Sequence, residues 1–109
     1  MILCFGQNVP LFDGKRAMNL LITQCEFGPR FPESEGHSKM KIFMQKFLHP
    51  LADSLYIMDE KISHPYERHY IILTNYLARY NLDESYRIML MAHWDTREFA
   101  DQDLNLQNR

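Results

Sequence analysis

Met40, Phe43, Met44, Phe47 and Leu48 recur at i, i+3, i+4, i+7 and i+8, the clearest amphipathic helical pattern in the chain. Ser34 precedes it as a helix N-cap, and Glu35 lies in the first turn, where a carboxylate complements the helix dipole. Pro50 ends it. A weaker stripe of Ala17, Leu20, Leu21 and Phe27, with Met18 and Cys25 at its margins, predicts an earlier helix from about Gly14 to Glu26. Phe27-Gly28-Pro29 stops that helix, because Gly28 can adopt a left-handed cap and Pro29 cannot continue the ladder. Residues 28–34 hold two prolines and a glycine and read as a loop.

Beyond Pro50 the period shifts toward two. Ser54 to Asp59 reads as a short strand and Tyr70 to Leu77 as a stronger one, rich in branched and aromatic residues. His64-Pro65-Tyr66-Glu67 forms a polar connection between them. A turn over 81–85 leads into Arg87-Ile88-Met89-Leu90-Met91-Ala92, a run whose length and apolarity suit a strand buried on both faces. The short connections predict an antiparallel meander of three strands after two helices, an α/β arrangement. Residues 1–13 are a lead-in ending in Pro10-Leu11-Phe12-Asp13-Gly14, and residues 98–109 form a polar end without periodicity.

Composition narrows the functional classes. Hydrophobic residues make up 46% of the 109, which argues against disorder, and 12 basic against 14 acidic side chains argue against a nucleic-acid or polybasic membrane role. Cys4 and Cys25 cannot build a disulfide framework and stand in no CxxC pair. The longest stretch without a charge, Met1 to Phe12, contains Gln7, Asn8 and Pro10 and cannot span a bilayer. Met1-Ile2-Leu3-Cys4 lacks the basic start and apolar length of a signal peptide.

The sharpest chemical feature is His93-Trp94-Asp95, directly after the apolar run. In an extended backbone His93 and Asp95 point to one side and Trp94 to the other. An imidazole is a good zinc ligand, and a carboxylate two residues on can ligate or accept the other ring N–H. A plain His–Asp hydrogen bond closing a turn fits the same spacing. His37, His49, His64 and His69 show neither HxxxH nor HExxH spacing and read as surface or capping residues. Met40 with Met44, and Met89 with Met91, read as core filling. Asp101 and Asp103 read as a solvated acidic loop, and Ser34 and Ser38 lack the glycine elbow of a nucleophile.

Two separated motifs carry a resemblance. Phe27-Gly28-Pro29-Arg30 with Pro32, Ser34 and Gly36-His37, followed later by Ala92-His93-Trp94-Asp95-Thr96-Arg97 with Ala100-Asp101 and Asp103, resembles the N-terminal part of the glutaminyl-peptide cyclotransferases. Those enzymes belong with the zinc-dependent, aminopeptidase-like exopeptidases. Val9-Pro10 with Phe12, Gln24 and Asn75 agree with the pattern, so the likeness runs from about Val9 to Arg109. The usual Gly after the second Pro of the first motif is Glu33 here, and the usual Pro after Asp-Thr-Arg is Glu98, so two backbone-shaping residues are replaced.

The resemblance implies an incomplete domain over residues 1–109, the first portion of an α/β/α sandwich with a mixed sheet. It implies a transferase that closes an N-terminal Gln to pyroglutamate with release of ammonia, zinc as cofactor and a peptide N-terminus as substrate partner. It implies His93 at the metal, Asp95 as the catalytic carboxylate, and Trp94 and Arg97 supporting the pocket. The family's remaining zinc ligands, its Gly-Ala-Asn-Asp-Gly-Ala segment and its late His are expected beyond Arg109. A two-zinc aminopeptidase, with His93 a true ligand, and a catalytically inactive fragment are the alternatives. No nucleic-acid partner and no transmembrane segment are expected. The family implies a secreted, periplasmic or lipid-anchored setting, with Leu3-Cys4 as a conceivable anchoring remnant.

Overall fold

Asp13 opens the first regular element of the computed structural model, which describes residues 10–100, 102–105 and 107. Cys4, Val9, the Leu3-Cys4 pair and Asp101 lie outside the described residues. The Asp13 carboxylate accepts the Arg16 N–H at 2.9 Å and caps α1, Gly14–Glu26. Gly28, with φ 77°, turns the chain out of that helix. Ser34 caps α2, Glu35–Leu48, its hydroxyl oxygen accepting the His37 N–H at 3.1 Å. The same hydroxyl lies 2.9 and 2.7 Å from the carbonyls of Pro29 and Phe31, tying the inter-helix loop to the helix start. Lys39 pairs with Glu35 at 2.7 Å on the exposed face of α2.

β1, Ser54–Ser63, and β2, Tyr70–Arg79, form an antiparallel hairpin running in register from Ser54↔Arg79 to Ser63↔Tyr70. β1 extends four residues past the predicted Asp59, because the charge run Asp59-Glu60-Lys61 breaks the alternation while its backbone still pairs with Thr74, Leu73 and Ile72. The buried side chains form a small set where α2 meets β2: Met40 and Ile71 are the apolar members, His37 and Thr74 the polar ones. Phe43 extends this set, 5.5 Å from Phe27 and 5.6 Å from Phe47 between ring centroids.

The expected third strand is corrected. Arg87–Ala92 carries no strand, and among the described residues the sheet has two strands. Ile88 and Leu90 are 92% and 91% exposed. A strand buried on both faces needs a pairing partner and a covering layer on each side, and this segment meets neither. An unbroken apolar run states a demand for burial without naming the surface that meets it. Met89 and Met91, expected in the core, are exposed for the same reason. The radius of gyration, 18.7 Å, exceeds the roughly 13 Å of a compact domain of this length. Among the described residues no helix is long and apolar enough to cross a membrane.

Candidate functional site

Arg30 joins the two motifs on which the resemblance rests. Its Nε donates to the Trp94 carbonyl at 3.0 Å, and its Nη1 donates to the Gln24 carbonyl at 2.8 Å and, more weakly, the Gly28 carbonyl at 3.4 Å. Its backbone exchanges bonds with Thr96: Arg30 N–H donates to Thr96 Oγ1 at 2.8 Å, and Thr96 N–H donates to the Arg30 carbonyl at 3.3 Å. One side chain therefore fixes the end of α1, the proline loop and the 93–97 loop together, using the fork geometry that lysine lacks.

Trp94 is the anchor of that loop. Its ring stacks on His37 at 4.6 Å and meets Tyr76 edge-on at 5.9 Å, and its indole N–H donates to the Thr74 carbonyl at 3.0 Å. With Trp94 turned inward, His93 and Asp95 stand together on the other side. His93 Nδ1 donates to Asp95 Oδ1 at 3.2 Å, and the His93 side chain is 95% exposed. Arg97 lines the same cleft of about 920 Å³ as His93 and Asp95, together with Glu33, His64 and His69.

The His93–Asp95 pair has the form of one metal ligand with its orienting carboxylate: the Nδ1–H is held, and Nε2 is left to bind. It fits one arm of a zinc site. A catalytic zinc takes three protein ligands, and among the described residues no further His, Cys, Asp or Glu gathers with this pair.

His37 is a correction to the sequence reading. It is 6% exposed rather than a surface residue, and it positions Trp94. Burial pushes its pKa below the ordinary histidine range, the nearby Lys41 pushes in the same direction, and Asp95 partly opposes them. The folded chain thus holds His37 neutral, whereas the unfolded chain takes up the proton near pH 6.5. Stability is full above about pH 6.5 and falls as the pH drops below it. Trp94 is the single tryptophan, so its fluorescence reports the effect. The urea midpoint is expected to fall between about pH 7 and pH 5.5, and His37→Gln to flatten that slope; an equally steep slope in the variant would count against His37 as its source.

The contact of Glu33 with His69 and the cluster at the hairpin turn escaped the sequence reading, which had marked Glu33 only as a replaced backbone-shaping residue. Glu33 has φ 74°, in the region that favours glycine, at the position where the resembling family usually has Gly. Its carboxylate reaches His69 at 2.8 Å. The hairpin turn also gathers His64, Glu67 and His69, whose ligating atoms lie within 4.8 Å of one another. The visible signal was two histidines bracketing a short turn between strands, which pairing must bring opposite each other.

No protein-family model and no curated protein matches the chain. A solved structure is: that of the glutaminyl cyclase of Fimbriiglobus ruber, with a TM-score of 0.80 at 26% identity, over 93% of this chain. The chain spans 34% of the length of that structure. In fold the chain resembles a glutaminyl cyclase, consistent with an N-terminal part of one.

Proposed function

We propose that this chain is the N-terminal portion of a zinc-dependent glutaminyl-peptide cyclotransferase, in which the α-amine of a peptide attacks its own Gln side-chain amide and ammonia leaves. The observation that carries the reading is the Arg30 link between the Phe-Gly-Pro-Arg loop and the His-Trp-Asp-Thr-Arg loop, since a built connection between two distant motifs accounts for their joint presence. Zinc, when bound, supplies Lewis-acid polarisation of the amide carbonyl. His93 would offer Nε2 to the metal, and Asp95, which holds the ring by its Nδ1–H, would supply the carboxylate for proton transfer. Trp94 fixes the height of both groups, and Arg97 lines the approach for the peptide. The same pairing suits a two-zinc aminopeptidase, with His93 as ligand and water as nucleophile; the product, a free amino acid instead of ammonia and pyroglutamate, separates the two.

The 109 residues alone with added zinc are expected to release no ammonia from a Gln-initiated peptide, because one ligand and its partner fall short of a catalytic set. Substituted for the corresponding third of the F. ruber glutaminyl cyclase, the chain is expected to support ammonia release. In that fusion Asp95→Asn should lower the rate about 10- to 100-fold, and His93→Ala at least as much. A folded fusion that is equally active with His93→Ala, or that is inactive throughout, overturns the proposal.

A further inference from the structure

We propose that the turn joining β1 and β2 is a binding site for a divalent transition metal, with His64, Glu67 and His69 as ligands and Glu33 as the carboxylate that orients His69. The site shares no ligand with the His93–Asp95 pair and stands or falls independently of the cyclotransferase reading.

Strand pairing builds it. The register ends at Ser63↔Tyr70, and His64 N–H donates to the His69 carbonyl at 2.9 Å, so the two histidines are the next opposed pair. Their rings stack with centroids 4.8 Å apart and planes inclined by 17°. Glu67 enters from the turn between them. The three ligating atoms lie within 4.8 Å of one another, against about 3.3–3.6 Å across a tetrahedral zinc with bonds of about 2.0–2.2 Å. Closing that gap requires rotation about side-chain bonds, in residues that are all at least partly exposed.

The hydrogen bonding around His69 suits a positive charge at Nδ1, supplied by a second ring proton or by a metal ion that displaces it. Its Nε2 lies 2.8 Å from Glu33 Oε2, and its Nδ1 lies 3.4 Å from Glu67 Oε2. A neutral imidazole has one N–H to give, and the shorter contact assigns it to Glu33. The Nδ1 lone pair then faces a carboxylate, an arrangement that a positive charge between them relieves. A metal ion there meets a histidine whose far nitrogen is already held by an acid, the usual support of a ligating imidazole. His64 Nδ1 accepts the N–H groups of Tyr66 and Glu67 at 3.3 and 3.0 Å, so that nitrogen is unprotonated and aimed into the turn; coordination exchanges those bonds for the metal. Two imidazoles and a carboxylate select zinc, cobalt, nickel or copper over calcium or magnesium, which prefer all-oxygen shells.

The test is titration of the untagged full chain with zinc chloride by calorimetry, and with cobalt(II) followed by its visible absorption. One equivalent of zinc is expected. His64→Ala with His69→Ala should abolish it, while Glu67→Gln, an exposed change that spares the hairpin, should weaken it at least tenfold. Glu33→Gln should weaken it about 10- to 100-fold with the stoichiometry kept, a signature of orientation instead of ligation. His93→Ala should leave the titration unchanged. Wild-type binding that persists in the double variant, binding that disappears with His93→Ala, or no binding by the wild-type chain overturns the assignment.

Discussion

Arg30→Ala is expected to free the 93–97 loop from the proline loop and to lower stability by about 3 kcal/mol, with the emission of Trp94 shifting to the red. The substitution strands the carbonyls of Trp94 and Gln24, which lose donors at 3.0 and 2.8 Å in a partly buried setting. Charge-assisted bonds of this kind contribute roughly 1.5–3 kcal/mol each, and partial exposure reduces their sum. The backbone exchange with Thr96 survives the change, so the loop loosens without leaving. Arg30→Lys keeps the charge but cannot span acceptors on two loops, and its midpoint should fall between those of the wild type and alanine. Urea unfolding followed by Trp94 fluorescence decides the matter: an unshifted midpoint and emission in Arg30→Ala would remove Arg30 as the connector. In the fusion with the F. ruber cyclase the same substitution should also weaken ammonia release, because His93 and Asp95 ride on the loop that Arg30 holds.

The helices were legible in the sequence because their signals are local. Ser34, the spacing of Met40 to Leu48 and the Gly28-Pro29 stop each act within a few residues, and both helices occupy the predicted ranges. The hairpin was legible as two β-rich segments, although its reach to Ser63 depends on β2 and not on the β1 sequence itself. The apolar run of Arg87–Ala92 misled because burial is a property of two surfaces and the chain spells out one of them. The site divides along the same line. Alternation across His93-Trp94-Asp95 anticipated which side chains share a side, a matter of local backbone geometry. His37 beneath Trp94, 57 positions earlier, and the pairing of His69 with Glu33, 36 residues apart, depend on tertiary approach that no spacing encodes.

Gly36→Ala should be the most damaging of the alanine substitutions at the described glycines. Alanine is the better helix former by about 1 kcal/mol, and Gly36 is the second residue of α2, so propensity alone predicts a gain. Packing decides otherwise. A Cβ at this position would lie 2.2 Å from the Pro29 carbonyl oxygen and 2.5 Å from that of Phe27, both backbone atoms with no side-chain bond to rotate away. The loop cannot retreat cheaply either, since Ser34 and Arg30 bind its carbonyls. The steric term, about 3 kcal/mol or more for overpacking against fixed backbone, exceeds the propensity gain. Gly28→Ala provides the contrast: nothing lies within 4 Å of its added Cβ, and only its φ of 77° opposes the change, at a cost of about 1–2 kcal/mol. The order of urea midpoints should therefore be wild type, then Gly28→Ala, then Gly36→Ala. The aromatic circular dichroism of Trp94 should diminish most in Gly36→Ala, because the neighbouring His37 is displaced with the first turn of α2 and the stack beneath the His93–Asp95 loop opens. A Gly36→Ala chain at least as stable as the wild type would show that α2 does not seat against the 27–29 backbone, and the support of the candidate site would have to come from elsewhere.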